Sequence, residues 1–496
     1  MNIQYKSTRD DSKLFSASYA IVKGLAEDGG LFMPDQFPSL EMNLDDLAKL
    51  DYKGIAYEVM KLFFTDFTEE ELKYCIENAY DSKFDTPEIA PLASIEGAYY
   101  LELFHGSTIA FKDMALSILP YLMTVSAKKN NINEEIVILT ATSGDTGKAA
   151  LAGFADVPGT RICVFYPKGG VSVIQEKQMV TQVGKNVKVI GIKGNFDDAQ
   201  TGVKNIFGDK EFNELINAKG FRFSSANSIN IGRLIPQVVY YVYSYCTLLK
   251  SGKIEEGDPI NFVVPTGNFG NILAGFFAQR IGIPVHKLVC ASNDNKVLFD
   301  FFNTAVYDRN REFILTSSPS MDILISSNLE RLIYLSCGQD ASKNASLMND
   351  LKTEGKYSLT EDMKKFIDQL FVGGYASTEM VDDRIKEIYD ETGYVMDTHT
   401  AVASAVYKKY INDTKDDTTS VIVSTASPYK FTRSVLGAIE GKKSEEEDFV
   451  LIDRLNAKSK MPIPKAVEEI RNAAVLHDTV CEISEMKSEI GKFLGL

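Results

Sequence analysis

From Glu135 onward the apolar positions fall into a repeating order. Ile136–Thr140 is a short apolar run rich in β-branched residues, the polar turn Ser143–Gly147 follows, and Lys148–Ala155 carries small residues at helical spacing. The order recurs as strand Arg161–Tyr166, closed by Pro167, Gly169 and Gly170, then helix Val173–Val183, strand Val187–Ile192 and helix Asp197–Phe207. It resumes with strand Asn261–Val264, a glycine-containing loop, a helix, and strand Lys287–Ala291. Short unbroken apolar runs alternating with helices predict parallel strands covered on both faces, an α/β fold that places ligands at the carboxyl ends of its strands.

The flanking regions read differently. Residues 1–90 predict a helix-rich leader, with a turn at Asp28–Gly30 and a helix over Thr68–Tyr80, where Leu72, Cys75 and Ala79 follow an acidic first turn. Tyr99–Phe104 alternates like a strand. Phe111, Ala115, Ile118 and Leu119 then continue a helical face that Pro120 is expected to kink. Phe301–Gly374 lacks the alternation and predicts helical decoration, and Val421–Ser424 predicts a final buried strand. The charged KKSEEED run within Gly441–Asp448 marks an exposed linker before a helical tail. The expected units are 1–90, a smaller α/β unit at 91–225, a larger one at 226–440, and a tail at 441–496.

A hydrophobic content of 45% in 496 residues supplies ample core, so the alternating pattern belongs to an ordinary globular chain. The net charge of −15 opposes nucleic acid or an anionic membrane as the main partner. Any phosphorylated ligand must then be held by local features. Six scattered cysteines without a CxxC pair predict neither a disulfide framework nor a zinc site, and four histidines show no metal-type spacing. Leu234–Leu249 is short for a membrane span and carries Pro236, Gln237 and four tyrosines, which predicts a buried core helix. The opening MNIQYKSTRDDSK has no apolar run of the secretory type, so a cytoplasmic protein is expected.

Five stretches carry candidate chemistry. In LELFHGSTIAFKDMA (Leu101–Ala115), Lys112 sits in an apolar setting where an ammonium is costly. It is either a snorkelling lysine on an amphipathic helix or an amine that condenses with a carbonyl. ATSGDTGKAA (Ala141–Ala150) resembles a Walker loop but has Thr142 in place of the first glycine and Ala149 in place of the magnesium-binding hydroxyl. What remains is Ser143, Asp145 and Thr146 on a strand-to-helix turn, to meet an anion or to cap the helix. In VPTGNFGNILAG (Val264–Gly275), Gly267 and Gly270 allow a tight turn whose N–H groups suit a phosphate, or a purely structural turn. ANSINIGR (Ala226–Arg233) offers Asn227, Ser228 and the fork of Arg233, or an Asn230 cap beside a solvated arginine. STASPYKF (Ser424–Phe431) puts Thr425 at the carboxyl end of a strand, as ligand contact or plain turn. Asp397 and His399 in MDTHTAV read as local structural residues rather than a dyad.

Taken with YKSTRD at Tyr5, GLAEDGGLFMP at Gly24, PSMDILISSNLERL at Pro319 and DTHTAV at Asp397, these stretches resemble the threonine synthases. The likeness is to the long form found in bacteria and fungi, among the pyridoxal-phosphate enzymes of the tryptophan-synthase-β type (fold type II). The resemblance implies two helix-covered, mostly parallel sheets, with the cofactor held by the larger unit. It implies a carbon–oxygen lyase that turns O-phospho-L-homoserine and water into L-threonine and phosphate. By the same resemblance, Lys112 binds pyridoxal 5′-phosphate as a Schiff base and is the catalytic residue. Gly267, Asn268, Phe269, Gly270 and Asn271 cradle the cofactor phosphate, Thr425 faces the ring nitrogen, and Asp145 lines the cofactor. Ser143, Thr146, Asn227, Ser228 and Arg233 take the substrate, no metal is involved, and the long form implies a monomer. The chain departs from the family pattern at Ser107, Ser427 and Tyr429, the last two bearing on cofactor tuning. Alternatives are a phospholyase releasing a 2-keto acid and ammonia, a P-loop nucleotide switch, and a non-catalytic binding protein on the same fold.

Overall fold

The computed structural model describes residues 2–142 and 144–496. Strands β1 (Tyr5–Ser7) and β2 (Phe32–Pro34) form an antiparallel pair in the leader, and β3 (Leu92–Ile95) and β4 (Ala98–Glu102) form a hairpin. The alternating region supplies β5 (Glu135–Ala141), β6 (Thr160–Pro167), β7 (Val187–Ile192) and β8 (Phe221–Ser224), then β9 (Ile260–Pro265) and β10 (Val285–Ser292). Beyond it lie β11 (Val306–Asp308), β12 (Lys356–Ser358), β13 (Phe371–Tyr375), β14 (Ser420–Ser424) and β15 (Val480–Cys481).

Two helix-covered sheets result. The larger has six strands in the order β13-β10-β9-β14-β4-β3, parallel except for the β3–β4 hairpin. The smaller has five parallel strands in the order β15-β7-β6-β5-β8. The interior strands β5 (EIVILTA) and β9 (INFVVP) are buried on both faces, as their unbroken apolar runs require. The helix Ile231–Lys250 is apolar nearly all round and lies in the core, and among the described residues no helix is long and apolar enough to cross a membrane. Its Pro236 is accommodated beside Gln237, whose Nε2 donates to Arg233 O (2.7 Å).

Leader helices Tyr52–Phe63 and Glu69–Ala79 share one apolar core with Ile231–Lys250 and the Lys112 segment. Thr68 caps Glu69–Ala79 through a reciprocal bond with Glu71.

Several expectations need correction. Pro120 does not kink a continuous helix. It lies in the first turn of a new one, Leu119–Lys129, where its missing N–H costs nothing. Phe301–Gly374 is not all helical, because it contains the β11–β12 pair and β13, the edge strand of the large sheet. β14 is not the last strand: the tail folds back and adds β15 to the edge of the small sheet. Strands β3 and β4, inside the expected 91–225 unit, belong to the large sheet through β4–β14 pairing.

Candidate active site

Lys112 precedes the short helix Asp113–Leu116, and its segment is zipped to the carboxyl end of β14. Phe111 N donates to Thr425 O (2.8 Å), and Ser427 N donates to Ile109 O (3.0 Å). Lys112 and Thr425 are therefore neighbours, although one lies near the start of the α/β region and the other near its end. Asp113 closes the loop by accepting from Thr108 N (2.8 Å) and Thr108 Oγ1 (2.5 Å).

The Lys112 amine meets side chains from two other segments. Nζ lies 3.2 Å from Ser320 Oγ and 3.5 Å from Asp145 Oδ2, and Ser320 Oγ donates to the same carboxylate oxygen at 2.8 Å. The other oxygen of Asp145 accepts from Gln175 Nε2 (2.9 Å) and lies 3.1 Å from the buried Lys430 Nζ. Lys430 also donates to Thr108 O (2.9 Å), so it ties Asp145 to the Lys112 loop.

Burial pushes the Lys112 amine below the ordinary lysine range; Asp145 opposes this, and Lys430 and Arg233 add to it. For Asp145 burial acts upward, but Lys430, then Lys112, and the Gln175 hydrogen bond hold the carboxyl well below its usual range. The site thus sets an amine that gives up its proton more readily than an ordinary lysine beside a permanent carboxylate.

The second half of the site is the turn between β9 and the helix Gly270–Arg280. No side chain caps this helix. The carbonyls of the turn are pulled away instead: Gly267 O accepts from Ser326 Oγ (2.6 Å), and Asn268 O accepts from Asn328 N (3.1 Å) and Nδ2 (3.0 Å). With the carbonyls anchored, the free N–H groups at the helix start suit an anion. Asn271 Oδ1 accepts from Tyr240 and Tyr241 hydroxyls (2.7 Å each), leaving its buried Nδ2 donor without a partner. A Cβ on Gly267 would stand 2.6 Å from Ser320 O, so this glycine is required by close approach. Ser320 bridges the halves, touching Lys112 with its hydroxyl and Gly267 with its carbonyl.

Arg233, in the first turn of Ile231–Lys250, is buried rather than solvated, which corrects that alternative; Asn230 does cap the helix through Gly232 N (2.8 Å). Its Nη1 donates to Ala226 O (2.9 Å), its Nε has no partner among the described residues, and burial pushes its pKa down to about 10. Asn227 is exposed and Ser228 half-buried on the adjoining loop, and Thr146 is half-buried in the first turn of Asp145–Phe154; Ser143 lies outside the described residues.

Three findings add to the site expectations. The left-handed residue of the β9 turn is Phe269 (φ 64°), and its ring packs against Phe302 and Phe371, so it offers backbone only. The Walker-like turn cannot cradle a phosphate, because Thr142 Oγ1 already accepts from Gly144 N and Gly147 N (2.9 Å each). Lys148 points to Gln182 Oε1 (2.5 Å), which removes the P-loop alternative. His399 is tied to the site as well as to its own helix: Nδ1 meets Asp397 Oδ2 (2.7 Å), and Nε2 accepts from Ser320 N (3.2 Å).

Sequence reasoning missed Ser320, Lys430 and Gln175. Lys430 had a visible signal, a lysine in the apolar SPYKF just past a buried strand, the argument already applied to Lys112. Ser320 lies in PSMDILISSN, where nothing local distinguishes it from the neighbouring serines.

Three family models cover the chain: threonine synthase N terminus over residues 4–80, pyridoxal-phosphate dependent enzyme over 87–426, and threonine synthase C-terminal over 400–480. The chain belongs to the threonine synthase family of pyridoxal-phosphate-dependent enzymes. It is 39% identical to threonine synthase from Schizosaccharomyces pombe over 464 residues, 87% of this chain and 88% of that one. The crystal structure of yeast threonine synthase superposes with a TM-score of 0.89 at 33% identity, covering 100% of this chain and 99% of that one. The pyridoxal-phosphate-bound threonine synthase from Brucella melitensis gives 0.87 at 31%, covering 99% and 98%. The fold is that of type II pyridoxal-phosphate enzymes, as expected.

The residues present fit this cofactor. Pyridoxal phosphate carries an aldehyde and a phosphate, and the site offers a depressed amine, a turn with free amides, and the orphaned Asn271 donor.

Proposed function

We propose that the chain converts O-phospho-L-homoserine and water into L-threonine and phosphate, as a cytoplasmic monomer. The observation that supports this reading is that Ser320 links Lys112 to the β9 turn and Arg233 acts on the same amine, two features suited to anions in a chain of net charge −15. One is the β9 turn, for the cofactor phosphate; the other is the buried Arg233 guanidinium, whose Nε has no partner among the described residues, for a phosphate on the substrate.

The cofactor, when bound, supplies an electron sink that makes protons on the substrate's carbon chain removable. Lys112 carries the cofactor and, once displaced from it by the substrate, moves protons at Cα, Cβ and Cγ. Asp145, fixed by Lys430 and Gln175, keeps a negative charge beside that amine. Gly267, Asn268, Phe269, Gly270 and Asn271 hold the cofactor phosphate, and Thr425 offers the ring nitrogen a neutral hydroxyl. Arg233, with Asn227 and Ser228, grips the substrate phosphate and stabilises it as it leaves Cγ; Ser143 and Thr146 take the substrate carboxylate. Overall a proton leaves Cβ, a proton arrives at Cγ, and the hydroxyl from water is added at Cβ.

Incubation with O-phospho-L-homoserine and analysis of the amino-acid product tests the reading. Threonine and phosphate in equal amounts are expected; 2-oxobutyrate and ammonia as main products would identify a phospholyase instead. Light scattering should give a mass near 55.0 kDa.

A further inference from the structure

The first turn of the helix Leu329–Ser336 holds a fully buried guanidinium, Arg331. Its donors run to three different segments. Nε donates to Phe32 O in leader strand β2 (3.0 Å), Nη2 donates to Ile229 O in the Asn227–Asn230 loop (2.6 Å), and Nη1 donates to Asn328 Oδ1.

The third bond has a geometric consequence. A guanidinium only donates, so Arg331 requires the oxygen of the Asn328 amide to face it. The amide nitrogen is then forced the other way, onto Asn268 O (3.0 Å), which the Asn328 backbone N–H also binds (3.1 Å). That carbonyl is one of the two anchored so that the β9 turn leaves its N–H groups free. The Asn227–Asn230 loop is likewise held from a second side by the leader, since Asn230 Nδ2 donates to Ile21 O (2.9 Å).

We propose that Arg331 is a positioning residue that fixes the cofactor-phosphate turn and the substrate-phosphate loop in one register, with the leader strand as the third anchor. The proposal rests on the assignment of those two segments to the two phosphates. It gives the leader a task in the site that neither Lys112 nor Arg233 performs. A lysine at 331 keeps the charge but cannot serve three acceptors in three directions from one plane.

The test uses the full-length holoenzyme and three variants: Arg331→Lys, Asn328→Ala and, as a neighbour on the same helix, Glu330→Gln. Glu330 binds Thr8 and Arg9 but no phosphate-facing segment. Pyridoxal-phosphate affinity is read by absorption titration after cofactor removal, the substrate side by KM, and folding by thermal unfolding. Arg331→Lys should weaken cofactor binding and raise KM, each on the order of tenfold, with kcat within about threefold. Asn328→Ala should weaken cofactor binding on the order of tenfold and leave KM within about threefold. Glu330→Gln should change neither. Arg331→Lys with both constants at wild-type values would overturn the proposal, as would Asn328→Ala with unaltered cofactor affinity, which also decides the matter if Arg331→Lys fails to fold. A wild-type enzyme that releases 2-oxobutyrate would defeat the reaction assigned above while leaving these binding shifts intact.

Discussion

Two strand-to-helix turns in this molecule look alike in sequence and behave oppositely. TSGDTG after β5 and TGNFGN after β9 each join a buried parallel strand to a helix, with two glycines and a leading threonine. In the first, Thr142 turns its hydroxyl inward and consumes the N–H groups of Gly144 and Gly147. In the second, Thr266 Oγ1 donates back to Val264 O (2.7 Å), while Ser326 and Asn328 hold the carbonyls. The closed turn presents a side chain, Asp145, to Lys112; the open one presents bare amides. Whether a glycine turn binds an anion is thus decided by where its neighbours spend their hydrogen bonds, more than by the glycines.

Four substitutions break or sharpen this contrast. The largest effect belongs to Lys112→Ala, which stands between the turns. Turnover should fall by at least roughly a thousandfold, while pyridoxal phosphate still binds noncovalently at the open turn, as measured by equilibrium dialysis. Gly267→Val attacks the open turn itself, placing a branched Cβ 2.6 Å from Ser320 O. Cofactor affinity in an absorption titration should drop up to roughly 100-fold, the upper range for an overpacked site. Thr142→Val opens the closed turn by removing the acceptor for two amides, which costs on the order of 3 kcal/mol in denaturant unfolding. Cofactor affinity should stay within about threefold, because these amides hold no phosphate.

The smallest effect lies outside both turns, on the approach to Lys112. His105 sits between Asp85 (2.6 Å) and Glu102 (3.0 Å). Burial pushes its imidazolium down, but the two carboxylates outweigh that and raise its pKa to about 9. The folded value lies above the unfolded one, so the stabilisation is complete below pH 6.5, declines as pH rises, and is gone beyond about pH 9. Asp85 is half exposed, which screens the pair. His105→Gln should therefore destabilise by on the order of 2 kcal/mol at pH 6 and by almost nothing above pH 9, read from unfolding curves at the two pH values.

The contrast also marks how far the sequence could be read. β5, β6, β7, β9 and β10 were legible because strands covered on both faces must be apolar throughout. β13 was hidden because its FVGGY carries two glycines, and β15 because two residues leave no pattern. Lys112 and the β9 turn stood out by local chemistry, but each kept a structural alternative until the family resemblance assigned a role. The left-handed Phe269 could not, since a bulky residue at φ 64° is held only by its tertiary surroundings. Ser320, Lys430 and Gln175 escaped because their role is to meet Asp145 from three distant segments. The two turns themselves show why motif spacing alone misleads: their difference resides in Thr142, Ser326 and Asn328.

Borohydride reduction of the holoenzyme followed by peptide mapping tells Lys112 from the two buried lysines nearby, Lys148 and Lys430. The account predicts a pyridoxyl group on Lys112 alone, lost in Gly267→Val at low cofactor concentration and retained in Thr142→Val. A label on Lys148 or Lys430, or one that follows Thr142 rather than Gly267, would contradict it.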